Sequence, residues 1–180
     1  MKGRELIVGV AGGVAAYKTA ALVSQLVQAE AAVTVVLTEA AAHFVGPATF
    51  EALTGRPVAQ RIFDARYPLG AHIELARRAE LLCIAPATAD LLAKCALGLA
   101  DDLLSTLYLA FDGPVLMAPA MNATMWAQPA VQRNVAQLQA DGVQIVDPEA
   151  GWLSCRQQGA GRMVSPETLR QAIEAVLVDH

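Results

Sequence analysis

Residues 6–29 read LIVGVAGGVAAYKTAALVSQLVQA, and the order of residue types in this stretch decides the fold class. Leu6–Val10 is a short apolar run rich in β-branched residues, the pattern of a strand buried on both faces. Ala11-Gly12-Gly13-Val14 follows as a turn. Ala15–Ala29 then carries helical spacing, with Leu22, Leu26 and Ala29 on one face and Lys18, Gln25 and Gln28 elsewhere.

The same rhythm continues outward. Val33–Leu37 reads as a second strand and Pro47–Leu53 as a short helix ending at Gly55. Leu81–Ile84 is a third strand closed by Ala85-Pro86, and Thr88 or Asp90 begins a helix that Gly98 interrupts. Asp101-Asp102 caps a further helix through Ala110. Pro114–Met117 and Val143–Val146 are strands, Gln128–Ala140 is a helix ending near Gly142, and Pro166–Leu177 is the last helix. Apolar strands alternating with helices predict an α/β doubly wound parallel sheet, Rossmann-like or flavodoxin-like, in a single domain over residues 1–180. Asp147–Val164 breaks the rhythm with three glycines and no periodicity. It is expected to be a long flap loop, since loops beyond roughly 12–15 residues are usually lids or disordered.

Composition narrows the function. Thirteen Lys+Arg against 17 Asp+Glu give a net charge of −4, without the basic surplus of a nucleic-acid binder. Hydrophobic residues at 55% and charged ones at 17% exclude disorder. The mean hydropathy of +0.41 is high, yet no run reaches the roughly 18 apolar residues of a membrane span. The best, Leu6–Ala16, stops at Tyr17-Lys18, and Met1–Glu5 leads into it without a signal-peptide cleavage pattern. The expectation is a cytoplasmic protein with no membrane or nucleic-acid partner, whose surplus apolar surface is covered between subunits. Cys83, Cys95 and Cys155 show no C-x-x-C spacing, so neither a disulfide framework nor a metal site is expected.

The candidate site residues fall at strand ends, where ligands of such sheets bind. Gly12 and Gly13 either let backbone N–H groups approach an anion or simply permit close packing. Position 15 is alanine, so the loop is not G-x-G-x-x-G, and a mononucleotide suits it better than NAD. Thr38 could donate a hydroxyl to phosphate or cap the short helix after it. Ala85-Pro86-Ala87-Thr88-Ala89-Asp90 and Ala118-Pro119-Ala120-Met121-Asn122 end successive strands in one A-P-A pattern, which suggests rigid loops around a flat ligand. His72 begins a helix and has the acid/base character useful near neutral pH. His43 and His180 are assigned no role. Cys83 and Cys95 read as buried apolar residues. Cys155 lies instead in a polar loop with Arg156 and Arg162; on these residues alone it is either an incidental exposed cysteine or a thiol placed for proton transfer or covalent chemistry.

Taken together, these pieces resemble the flavin-dependent cysteine decarboxylase family. The carrying residues are G-V-A-G-G-V-A-A-Y-K (9–18), G-A-H-I-E-L (70–75), A-P-A-T-A-D (85–90), G-L-A-D-D-L-L-S-T (98–106), A-P-A-M-N (118–122) and C-R-Q-Q-G-A-G-R-M (155–163). P-A-M-N with a cysteine ahead of G-x-G-R-M is the most specific pair. The resemblance is closest to the branch that decarboxylates 4′-phosphopantothenoylcysteine in coenzyme A synthesis. It implies FMN as cofactor, with Gly12, Gly13, Val14 and Thr38 at its phosphate and Thr88, Ala89, Asp90 and Ala120 along the ring. Asn122, with Met121 beside it, would hold the substrate carboxylate, His72 would be the base and Cys155 the proton donor. The resemblance further implies a homo-oligomer, a trimer or assembly of trimers, with sites between subunits. Alternatives are a decarboxylase of a peptide's C-terminal cysteine and a non-catalytic flavin-binding regulator. Two residues depart from the family pattern. Arg156 stands where glycine is usual, which is expected to alter the flap because arginine rarely reaches φ > 0. Asp90 stands where asparagine is common, so its flavin contact is expected through backbone. Many relatives continue into a second domain, and the chain is read as either free-standing or an excised domain.

Overall fold

The computed structural model describes residues 1–179, and His180 lies outside them. In chain order the elements are β1 (Glu5–Val10), α1 (Ala16–Gln28), β2 (Ala32–Leu37), α2 (Glu39–Ala42), α3 (Pro47–Thr54), α4 (Ala71–Arg78), β3 (Leu81–Ala87), α5 (Ala89–Leu97) and α6 (Leu103–Ala110). There follow β4 (Val115–Pro119), α7 (Ala123–Trp126), α8 (Pro129–Ala140), β5 (Gln144–Ile145), β6 (Glu149–Trp152), β7 (Gln158–Arg162) and α9 (Pro166–Asp179). The first five strands form one parallel sheet in the order β2-β1-β3-β4-β5. This is the flavodoxin-like doubly wound arrangement, in which the chain reverses direction across the sheet between β1 and β3.

Strand periodicity explains the two cores. Leu6, Val8 and Val10 of β1, with Leu81, Cys83 and Ala85 of β3, pack with Leu22 and Leu26 of α1, Phe50 of α3, and Leu169 and Ile173 of α9. The alternate residues Ile7, Leu82 and Ile84 pack with Leu75 of α4, Leu91 and Leu92 of α5, Leu104 and Leu107 of α6, and Leu138 of α8. With both faces covered, the strands read as unbroken apolar runs. Each fully buried Leu, Ile or Phe contributes about 1.5–3 kcal/mol, so the sheet is well fixed. Helix ends follow local chemistry. Gly55 and Gly98 close α3 and α5 in the left-handed conformation, and Asp102 starts α6 with a capping box to Ser105.

The structure corrects several boundaries. β3 runs on through the cis Ala85-Pro86 bond to Ala87, because it still pairs with β4 at Ala87 and Pro119. β5 is reduced to Gln144–Ile145. The Asp147–Val164 segment is an antiparallel ribbon of β6 and β7 and not an irregular loop. Lys18 is not on the polar side of α1: residues 18, 22 and 26 stack at four-residue spacing on one face, and Lys18 is buried with Leu22 and Leu26.

At the amino ends of β1 and β3, Arg56 grips both Glu5 carboxylate oxygens at 2.7 and 2.8 Å, and Arg4 pairs with Glu80. The hydrogen bonds from Arg56 hold the Glu5 carboxyl below its usual value, and those from Arg4 and the Glu5 N–H do the same for Glu80. Carboxyl groups depressed in this way stabilise the fold above their ordinary value and lose that contribution as pH falls through the folded value. Urea midpoints should therefore drop as pH falls below the ordinary 4.5, and the Arg4→Gln/Arg56→Gln double variant should show a flatter decline. Both pairs are more than a third exposed, so each should contribute only about 0–1 kcal/mol.

Candidate functional site

All five sheet strands run the same way, so their carboxyl ends share one edge. The loops after β1, β2, β3 and β4 line a single cavity of about 1060 Å³ there, at the upper limit of the roughly 300–1000 Å³ common for small-ligand sites. The β1–α1 turn is tied across the switch point by Ala11 N–H donating to Pro86 O at 3.2 Å. Beyond it, the N–H groups of Gly12, Gly13 and Val14 donate to no acceptor among the described residues. The packing reading holds at Gly12. A Cβ on Gly12 would overlap Ala40 of α2, whereas one on Gly13 would make ordinary contact with Thr88. Gly12 is therefore needed for packing, and the N–H groups of Gly12, Gly13 and Val14 are left free at the cavity edge, as an anion site would require.

Three further strand ends share one device. Thr38 Oγ1 accepts from Ala41 N–H at 3.1 Å, Thr88 Oγ1 from Leu91 N–H at 3.3 Å, and Asn122 Oδ1 from Met125 N–H at 2.7 Å. Each side chain is the N-cap of the following helix. Capping uses an acceptor and leaves the donor free. The hydroxyls of Thr38 and Thr88 and the amide of Asn122 donate to nothing among the described residues. The caps fix these side chains, and all three line the cavity.

On one flank, Lys94 of α5 lies 3.3 Å from Asp90, 3.1 Å from Asp101 and 3.6 Å from Asp102. Burial works against its charge, but the bonds to Asp101 and Asp90 outweigh it and raise its pKa. On the other flank stands the ribbon. Met121 N–H donates to Gly161 O at 2.9 Å. Gly161 has φ +119, and a Cβ there would overlap the Met121 carbonyl. The ribbon thus lies directly on the turn that carries Asn122. Lys18 Nζ donates to Met163 O at 2.5 Å. Burial and the nearby Arg162 push the Lys18 ammonium below its usual value, opposed by Glu149.

The ribbon tip is a three-residue loop. Arg156 N–H donates to Leu153 O and Leu153 N–H to Gln157 O, both at 2.9 Å. This geometry wants a left-handed third residue, and Arg156 supplies it at φ +62. Arginine in the usual glycine place leaves the turn intact and bears its strain.

Of the residues singled out in the sequence, Gly12, Gly13, Val14, Thr38, Thr88, Ala89, Asp90, Ala120, Met121 and Asn122 all line the cavity. Cys155 does not: it is exposed at the ribbon tip, although its neighbour Ser154 reaches the cavity. Burial pushes the Cys83 and Cys95 thiols up to about 12. His72 is also outside the cavity. His72 stands in the first turn of α4, which packs beside α6. The His72 Nδ1 is buried without a partner. Lys18, Lys94 and Arg162 line the cavity unassigned from sequence. For Lys18 the signal was its four-residue step from Leu22.

A 2-1-3-4-5 sheet with a donor-lined crevice at its switch point defines a flavodoxin-like α/β ligand-binding protein. The chain belongs to the Flavoprotein family, whose profile matches residues 1–178. It is 45% identical over 174 residues to the coenzyme A biosynthesis bifunctional protein CoaBC of Haemophilus influenzae, covering 96% of this chain and 44% of that one. The chain thus spans less than half the length of the curated relatives it matches. Among solved structures it resembles the FMN-dependent cysteine decarboxylase SpaF, with 35% identity, TM-score 0.85, and 98% and 96% of the two chains covered. It also resembles a PPC decarboxylase mutant complexed with pantothenoylaminoethenethiol, with 29% identity, TM-score 0.87, and 99% and 100% covered.

Two substitutions probe the ribbon. Gly161→Ala should detach it from Met121, seen as faster hydrogen exchange over residues 158–162, at a cost of about 1–3 kcal/mol. Arg156→Gly should raise the unfolding free energy by up to about 1 kcal/mol, read as a higher urea midpoint, since the left-handed strain is relieved against a more flexible unfolded chain.

Proposed function

We propose that this chain is an FMN-dependent carboxy-lyase that converts 4′-phosphopantothenoylcysteine to 4′-phosphopantetheine and CO₂ in coenzyme A biosynthesis. The observation that carries the reading is the set of free, cap-fixed donors at the strand ends, beside a ribbon that bears the single exposed thiol of the described residues. The names of the relatives point the same way.

The N–H groups of Gly12, Gly13 and Val14 and the Thr38 hydroxyl would hold the FMN phosphate, with Thr88, Ala89, Asp90 and Ala120 against the ring. When bound there, FMN supplies a two-electron acceptor and donor. This is needed because direct loss of CO₂ from a cysteine carboxyl leaves an unstabilised carbanion. Oxidising the thiol carbon to C=S first gives the electron pair a destination. Asn122 keeps its Oδ1 on Met125 N–H and offers its Nδ2 hydrogens to the substrate carboxylate, which orients the C–C bond that breaks. Met121 lies beside it. His72 takes the proton of the substrate thiol, and Cys155 returns a proton to carbon in the final reduction.

His72 lies outside its own chain's cavity, so in this reading it serves the cavity of a neighbouring copy. The assembly is a homo-oligomer, a trimer or group of trimers, with sites between subunits. The exposed apolar side chains of Tyr17, Phe44, Leu97 and Leu99 support such an interface. Among the described residues no helix is long and apolar enough to cross a membrane, and a cytoplasmic setting accords with the pathway.

Purified protein incubated with 4′-phosphopantothenoylcysteine should release CO₂ and form 4′-phosphopantetheine. His72→Asn and Asn122→Asp should each retain the flavin absorbance and lose about 10²–10⁴-fold in rate. Cys155→Ser should still release CO₂ while the oxidised enethiol accumulates. CO₂ from a cysteine-terminated peptide alone would reassign the substrate, and flavin binding with no CO₂ from either would make the protein a regulator.

A further inference from the structure

Lys18 is the only buried charged side chain among the described residues, at 9% exposure. Its setting disfavours a cation. It stands in the first turn of α1, where the helix already presents partial positive charge. Arg162 adds a second cation nearby, and no carboxylate among the described residues is within ion-pair distance of its ammonium. A buried charge requires a compensating contact. Here it is the Met163 carbonyl at 2.5 Å. Met163 follows β7 directly, and its side chain is 1% exposed in the core. The lysine therefore joins the exit of the ribbon to the helix that begins at the glycine turn, and its side chain lines the cavity between them.

We infer that Lys18 is a positioning residue that holds the cysteine-bearing ribbon over the cavity through the Met163 carbonyl, so that Cys155 delivers its proton before the decarboxylated intermediate escapes. The inference rests on the decarboxylase reading. In that reaction the two electrons removed from the thiol carbon return after CO₂ has left. Bound FMN in its reduced form would supply a hydride, two electrons with one proton, and the Cys155 thiol the second proton, so that the enethiol R–NH–CH=CH–SH becomes R–NH–CH₂–CH₂–SH. A ribbon that is not held leaves the first half of the reaction intact and lets the enethiol dissociate.

Lys18→Met preserves length and volume while removing the charge and the donor, so the fold should persist. Hydrogen exchange over residues 158–163 should accelerate about tenfold or more, as expected for loss of one hydrogen bond to a charged group. The fraction of product released as oxidised enethiol should rise, with CO₂ release continuing. Unchanged exchange, or a parallel fall of CO₂ release and reduction with the product ratio fixed, overturns the inference. Absence of CO₂ release from the wild-type protein instead rejects the decarboxylase reading, and the exchange measurement then still decides whether Lys18 holds the ribbon. Should Lys18→Met fail to fold, Lys18→Gln, which keeps a shorter neutral donor, is expected to show the same two changes to a smaller degree.

Discussion

The common direction of the sheet strands governs the rest of the molecule. It brings four strand ends to one edge, and three of the chain segments leaving that edge turn at once into a helix whose first N–H groups need an acceptor. Thr38, Thr88 and Asn122 supply that acceptor from the side chain. A hydroxyl or amide used in this way keeps its donor, so the atoms that start the helices also give the crevice its polarity. Helix capping and the polarity of the crevice therefore draw on the same side chains. Aspartate at 122 retains a carbonyl-type oxygen for Met125 N–H and removes the donor, which separates the two roles. Alanine would remove both and confound them.

Much of this was legible in the sequence. Apolar runs broken by glycine and proline located the sheet strands, and Asp102, Gly55 and Gly98 marked helix ends through ordinary capping chemistry. The cavity-lining residues were legible because in a parallel sheet the residue after each strand can only lie at the ligand edge. The failures have physical causes. Pro86 reads as a strand end because it lacks an N–H, yet β3 needs none at that point. The β6–β7 ribbon lacks alternation because Gly151, Gly159 and Gly161 are present for close approach to Arg162, Ala123 and Met121, and not for burial of side chains. Lys18 looks like a solvent residue because charge is normally exposed, whereas its Met163 partner is remote in sequence and invisible to local pattern.

The ribbon is held by contacts of an unusual kind. Its Gly161 tolerates no side chain against Met121, its tip carries Arg156 in a conformation that costs arginine about 1–2 kcal/mol, and its exit is bonded to a buried ammonium. None of these is the cheapest choice for stability alone. A ribbon required only to cover apolar surface would be fixed by apolar side chains, and β6–β7 has almost none: Leu153 is buried, but Trp152 is largely exposed at the cavity mouth. The ribbon is bonded to the body at its exit, through Met163, and its tip with Cys155 is exposed. On the decarboxylase reading, a thiol on a ribbon fixed at its base is positioned for the proton transfer that follows loss of CO₂.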